Sequence, residues 1–577
     1  MSKKSFGGRC VAVISTLLFT GLIAWGIYYF ALPAMTFHSS GFWWFGLIVL
    51  ILVAVNYFIA NALVNAYLNR RDGNLPAYIL GGLAAVWLVA FVIIAIACSS
   101  MTNAPKYSNL ITVEESNFSE DIEEIDTKDI VIIDVKTAQK MGDRTIGTIP
   151  NATWFDVDDE YNLVIINGNK YRISPLKYGG FWKYLKAKES GIPGYVMVNA
   201  VRKDAEAKYV TFEEGMKYSP SAYFKYDLKR HLRSLYSNYI FGKSFFEVDD
   251  SGHPYWITGV QTPQIGMIGA LTTTSVIITD AVTGESEEYS LEEIPVWVDH
   301  VESVAELMQL ADWHYSFWDG WWNAMTSKTK VYKTSYYYKD QEQTASQDQN
   351  KSDLAANEFT PFEGYNSIIK DGKVMFYTGL TPANNAETNI GFLLIDPRTK
   401  EFYYYEATGA EESSAQGAVE GLVSDLRYSA SFPTIVNIEG VETYFMLLKD
   451  GAGLIQRFAF ANVENYAKCV QAETIDKALE AYKIEMGLTS NVSQNDKEEN
   501  EVENLSGEII ELEEAQIGGF TYYYFKIDGA DAFVFMSSIE NSNKQPMELK
   551  VGRKVKVKYY ESEKEKGIAI VTSINFE

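Results

Sequence analysis

The first thing this 577-residue chain lacks is charge, and the lack is confined to one region. Residues 10–69 contain no Asp, Glu, Lys or Arg. Arg70, Arg71 and Asp72 interrupt, and residues 73–105 are again uncharged. A domain folded in water does not leave so long a stretch without charge. A bilayer demands it, because a charge at the centre of the hydrocarbon costs at least ~2.5 kcal/mol. Cysteine is scarce too. Cys10 and Cys98 flank the apolar region and Cys469 stands alone beyond it, so no disulfide can staple the rest and its stability must come from core burial. Five histidines are scattered at 38, 231, 253, 300 and 314. No two have metal-ligand spacing, and H-E-x-x-H, G-x-S-x-G and phosphate-loop patterns are absent. Basic residues are in deficit. The first 98 residues hold five basic residues and one acidic. Against totals of 50 and 75, that leaves 45 basic and 74 acidic beyond them, a net of −29. Such a charge opposes binding to nucleic acid.

The apolar region supplies three spans of about twenty residues or more, at 10–32, 42–68 and 77–98. Pro33, His38, Ser39, Ser40 and Gly41 separate the first two, and aromatics (Trp25, Tyr28, Tyr29, Phe30, Phe42, Trp43, Trp44) sit at the proposed ends, as in interfacial belts. Lys3, Lys4, Arg9, Arg70 and Arg71 all fall on one predicted side, which the positive-inside rule makes cytoplasmic. Three spans then deliver the rest of the chain to the outside of a cell membrane, and the sparing use of cysteine favours a bacterial one. Polar and small residues within the spans (Ser15, Thr16, Gly21, Gly26, Asn56, Asn61, Asn65) are available for helix–helix contacts.

Residues 99–128 are acidic and read as a flexible stalk. Polar breaks at 340–350 and 487–504 divide the remainder into 129–340, 341–486 and 505–577. Hairpin signals recur, for example Asn167-Gly168, Ser251-Gly252, Asp371-Gly372 and Glu439-Gly440, each followed by alternating apolar residues. Helical spacing of Leu228, Leu232 and Leu235 predicts a helix within 222–239. Ala415, Val419, Leu422 and Val423 predict another within 411–426. A duplicated α+β unit of one helix plus an antiparallel sheet accounts for both. Asp280 to Thr283 and Asp396 to Thr399 close hairpins with D-x-x-T, followed by Gly284 in one and Lys400 in the other; Asp opens such a turn and the fifth position takes φ > 0. Five further strands, at 507–511, 520–527, 532–536, 554–560 and 567–574, predict a small C-terminal β-barrel.

The hydrophobic strand ending in D-x-x-T-G resembles the closing hairpin of PepSY domains, small helix-plus-sheet modules found outside bacterial membranes. The phrase Leu549 to Val557, with its Gly552 turn, resembles entry to a late OB-fold strand. Residues 191–200, 252–257 and 443–454 resemble a family of membrane-anchored proteins of Gram-positive bacteria, a likeness that implies no activity.

One segment is unusual. Trp313, Trp318, Trp321 and Trp322 put four of the twelve tryptophans within ten residues. Such a cluster can dock on a membrane surface, stack on wall sugars, or pack as a helix on a sheet, the last being favoured by Val301, Val304, Leu307 and Leu310 just before it. The expectation is a multi-pass, non-enzymatic binding or scaffold protein of the bacterial envelope. No cofactor or metal is expected, and the partner is an envelope protein, a peptide or a cell-wall polymer. The alternatives are an envelope hydrolase working through carboxylates and an accessory subunit of a transport or export complex.

Overall fold

The computed structural model describes residues 3–69, 73–145, 147, 152–203, 205–336, 364–383, 388–488, 503–517, 520–530, 533–538, 549–561 and 567–576. The Arg70–Arg71 loop, the 340–350 break and most of 487–504 lie outside these. Two compact units are present, Met1–Leu488 and Thr489–Glu577.

Three helices, α1 (Lys3–Ala31), α2 (Ser40–Tyr67) and α3 (Leu75–Ala97), are each long and apolar enough to cross a membrane. Their outward faces are bare hydrocarbon, with Leu17, Leu18, Phe19 and Leu22 all exposed. Polar side chains instead point between helices: Asn56 Nδ2 donates to Thr20 Oγ1 (2.9 Å), and Asn61 Nδ2 to Asn74 Oδ1 (2.6 Å). In an apolar surround each amide must find such an acceptor. At the other end, Trp43 packs on Trp87 with ring centroids 4.7 Å apart, while Trp87 Nε1 donates to the Trp43 carbonyl (2.8 Å).

The segment 99–128 is not a stalk. It forms α4 (Ser100–Ser108), β1 (Val113–Ser116) and one helical turn, Phe118–Asp121. Glu114, Glu115 and Glu120 face solvent, whereas Phe118 is buried against Phe392, and Tyr107 is buried with Ile265 and Ala270. Strand β1 pairs in parallel with β15 (Phe402–Ala410), so a strand from elsewhere in the chain supplies its hydrogen bonds. The acidic composition records the exposed side of this segment only.

Beyond it, four sheets follow one another, antiparallel apart from the β1–β15 pair and each preceded by a helix. Helix α5 (Val135–Thr145) precedes β2 (Phe155–Val157), β3 (Asn162–Ile166), β4 (Asn169–Tyr178), β5 (Ile192–Asn199) and β6 (Lys208–Met216), ordered β2-β4-β5-β6 with β3 also on β4. Helix α6 (Leu228–Leu235) precedes β7 (Ile240–Val248), β8 (Pro254–Ile265), β9 (Gly269–Asp280) and β10 (Ser286–Ser290), ordered β10-β9-β8-β7. Helix α7 (Val304–Phe317) precedes β11 (Tyr332–Thr334), β12 (Asn366–Lys370), β13 (Lys373–Pro382), β14 (Thr388–Ile395) and β15, ordered β1-β15-β14-β13-β11 with β12 on β13. Helix α8 (Glu412–Gly421) precedes β16 (Ser429–Ala430), β17 (Thr434–Ile438), β18 (Val441–Lys449), β19 (Ile455–Asn462) and β20 (Cys469–Ala472), ordered β16-β18-β19-β20 with β17 on β18. Helix α9 (Ile475–Met486) ends this unit.

A twofold repeat was too coarse. The two expected helices precede the second and fourth sheets, whereas the two D-x-x-T turns belong to the second and third. Both turns have the expected form. Asp280 Oδ1 accepts from the N–H groups of Val282 (2.8 Å) and Thr283 (3.0 Å), and Asp396 Oδ1 from those of Arg398 (2.8 Å) and Thr399 (3.1 Å). Gly284 and Lys400 both take the left-handed conformation, at φ 83° and 60°. One core cluster joins the first, second and fourth sheets (Tyr195, Phe246, Trp256, Phe445, Phe460) and a second joins the third and fourth (Phe392, Tyr405, Tyr444).

In the C-terminal unit, β21 (Glu503–Ile517) pairs with β22 (Phe520–Ile527) and β24 (Lys554–Glu561). Strand β22 pairs with β23 (Val534–Ser538), and β25 (Ile568–Phe576) with β24 and, in parallel, β23. Ile509, Phe525, Phe535, Val557 and Val571 form its own core.

Candidate functional site

The tryptophan segment begins on α7, which starts with a reciprocal cap. Ser303 Oγ accepts from the Glu306 N–H while the Glu306 carboxylate accepts from the Ser303 N–H. Leu307, Met308, Leu310 and Ala311 then bury one face of the helix on Phe376, Leu380, Leu393 and Phe402. This is the packing that the apolar spacing predicts, and Trp313 belongs to it. Its ring meets Tyr107 of α4 edge-on, with centroids 4.8 Å apart.

The remaining tryptophans part from that face where the helix ends. Gly320, at φ 85°, lets the chain turn into a short helix Gly320–Trp322, which also packs on α4. Asn323 is buried and fixes the exit: its Nδ2 donates to the Thr329 carbonyl (3.0 Å), and its Oδ1 accepts from Ser327 Oγ (2.7 Å) and the Thr329 N–H (3.1 Å). Trp318 is left 50 % exposed and Trp322 69 % exposed, and Met325 is exposed too. Trp321 is half-buried and stands edge-on to Trp322 at 4.9 Å. The four expected residues therefore divide into a packing residue (Trp313), two exposed faces (Trp318, Trp322) and a support (Trp321).

The seat of this patch is close to the membrane-spanning bundle. Ser108 Oγ donates to the His314 carbonyl (2.9 Å), and His314 Nδ1 donates to the Ser108 carbonyl (2.7 Å), which ties α7 to α4. Tyr107 Oη donates to the Cys98 carbonyl (2.8 Å), one residue beyond α3. The β8–β9 turn rests on the same place: the Met267 N–H reaches Cys98 Sγ (3.2 Å), and His38 Nδ1 donates to the Met267 carbonyl (2.8 Å). A Cβ on Gly266 would lie 2.5 Å from Cys98 Sγ, so only glycine fits there.

Carboxylates with strongly raised pKa lie inside the protein, where sequence reasoning had no signal for them. Burial pushes Glu247 to about 8, Asp299 to about 7 (with Glu247's charge adding to it) and Glu302 to about 7 (with Glu306 adding to it). Burial also raises Glu412, which accepts from Tyr377 Oη and Ser335 Oγ, both at 3.1 Å. Each of the four is tied to backbone or hydroxyl donors. Among the described residues no group of His, Cys, Asp and Glu converges as a metal site requires. Of the five histidines, His300 is buried and held neutral, lowered to about 4, and His231 Nε2 donates to the Gly284 carbonyl (2.7 Å). Cys469 is half-buried at the edge of the fourth sheet.

Compared with known proteins, the chain matches no family model and no curated sequence.

Proposed function

We propose that this is a membrane-anchored binding or scaffold protein of the bacterial envelope, with its N-terminus cytoplasmic and the sheet-rich head extracytoplasmic. The head's sheets are read as PepSY-like units and the terminal unit as an OB-like barrel. The observation that carries the binding role is the pair of exposed indoles, Trp318 and Trp322, held on a capped and packed support. Solvent-facing tryptophans on a rigid base offer large apolar area at little entropic cost, the usual make-up of a binding hot spot. The partner is an envelope protein, a peptide or a wall polymer. The raised carboxylates support a structural role, since they are enclosed and satisfied, and the hydrolase reading gains nothing from them.

The test is retention of the purified full-length protein on isolated cell envelopes. Replacing Trp318 and Trp322 together by Ala is expected to leave the melting temperature nearly unchanged and to weaken retention by at least about tenfold, from roughly 1.4 kcal/mol or more at a hot spot. Unchanged retention would remove these residues from the binding surface.

A further inference from the structure

We propose a binding site for an anionic phospholipid between α1, α2 and α6. A cavity of about 380 Å³ opens there, between the ends of the two membrane helices and the first helix of the second sheet. Its lower wall is apolar, from Ile27, Trp44, Phe45 and Ile48, and its rim carries Lys229 and Arg233. On α2 the lining runs from Gly41 to Ile48, so the wall descends about 10 Å along the helix. That is the layout of an amphiphile: an acyl chain below, an anionic head above.

The rim is unusual for this protein. The chain beyond the first 98 residues carries a net of −29, yet Lys229, Arg230 and Arg233 cluster on one eight-residue helix against the membrane. None of the three forms an ion pair among the described residues. Arg230 is already in use: its Nη1 donates to the Tyr29 carbonyl (2.6 Å) and its guanidinium lies 3.8 Å from the Tyr29 ring centroid. Arg233 is 4 % exposed. Its Nε donates to the Leu32 carbonyl (3.2 Å), and its Nη1 to the carbonyls of Tyr236, Ser237 and Tyr239. These carbonyls fix the guanidinium and leave Nη2 without a bond to any described residue. Of the nearby carboxylates, Asp227 lends its charge to Arg230 and Lys229 but reaches neither side chain as an ion pair, and both it and Glu288 hold other donors. Asp227 caps α6 by accepting from the Arg230 N–H (2.8 Å), and Glu288 accepts from Tyr239 Oη (2.9 Å) and Ser275 Oγ (2.6 Å). The Arg233 guanidinium also lies over the Phe241 ring, 4.4 Å from its centroid, and with the exposed lysine beside it presents positive charge to the rim, where an anion is favoured. A zwitterionic lipid would bring its own ammonium to this rim, so the occupant is a lipid with net negative charge, drawn from the leaflet that faces the head. The inference rests on the membrane placement of α1 and α2 and not on the tryptophan surface.

Native mass spectrometry of the full-length protein, released from nanodiscs of equal phosphatidylglycerol and phosphatidylcholine, tests it. The wild type is expected to retain phosphatidylglycerol in preference. Lys229→Ala, at an exposed side chain, is expected to lower that preference about fivefold, the effect of one basic residue at an anionic surface. Ile48→Trp, which fills the apolar wall, is expected to exclude both lipids. Equal retention of the two lipids by the wild type would overturn the proposal, as would a preference that neither variant changes. Complete displacement by excess inorganic phosphate would also overturn it, because the acyl chain would then contribute nothing.

Discussion

Glu247 Oε1 and His300 Nδ1 lie 2.9 Å apart and share one hydrogen, with both side chains buried. The N–H groups of Asp299 and His300 also point at this carboxyl (2.9 Å each), the His300 ring sits between Phe245 of the second sheet and Phe376 of the third, and Asp299 Oδ2 accepts from the Ile165 N–H of the first (2.9 Å). Three sheets meet at this pair.

Stability should therefore depend on pH in a definite sense. Glu247, Asp299 and Glu302 titrate in the folded protein at about 8, 7 and 7, above the ordinary carboxylate range. Their contribution is complete below about pH 4.5 and is lost as pH rises through 7 to 8. His300, lowered to about 4, acts the other way: its contribution is present above about 6.5 and lost as pH falls toward 4. Between pH 6.5 and 8 the carboxyls dominate, so the melting temperature should fall as pH rises. Glu247→Gln, which keeps a carbonyl acceptor, should flatten that slope. A slope identical to wild type would show that Glu247 is not the group titrating.

The seat of the head on the bundle gives a second expectation. Gly266 combines φ 62° with the contact to Cys98, whereas Gly252 has φ 86° and open space around its Cα. Gly266→Ala should cost about 2–4 kcal/mol, strain and collision together, and Gly252→Ala about 1 kcal/mol. Thermal unfolding of the two variants separates the terms, and equal losses would mean the seat tolerates a methyl group.

The twin turns should respond alike. Asp280→Ala and Asp396→Ala each strand two backbone N–H groups, and each should lower stability by about 1–3 kcal/mol in denaturant titrations. If only one matters, the equivalence of the two hairpins is superficial.

Much of this was legible in the chain, and where it was not the reason is physical. Spans, hairpins and D-x-x-T turns are local, and Lys400 takes the left-handed position that Gly284 takes, as turn chemistry allows. The segment 99–128 has the composition of a stalk because Val113 and Phe118 acquire their neighbours, Phe402 and Phe392, from nearly 300 residues away. The fourfold alternation of helix and sheet was obscured because the helix before the third sheet is the tryptophan helix, whose aromatic cluster also fits a docking surface. Trp318 and Trp322 could be nominated from their clustering. Their separation from Trp313 depends on Gly320 and Asn323 turning the chain.

Residues 487–504 are polar without an apolar face, and the compact units divide after Leu488. Limited proteolysis should cut there first and release a stable fragment of roughly seventy residues, a size that can fold alone. Aggregation of both products after the cut would show that the units depend on each other.

The most direct measurement concerns the side of the membrane on which the head lies. A reporter active only in the cytoplasm, fused after Glu577, should be silent while the same reporter placed at the N-terminus is active. This is the result required by Lys3, Lys4, Arg9, Arg70 and Arg71 lying on one predicted side of three spans. Activity from the C-terminal fusion would put the head in the cytoplasm and contradict an envelope role.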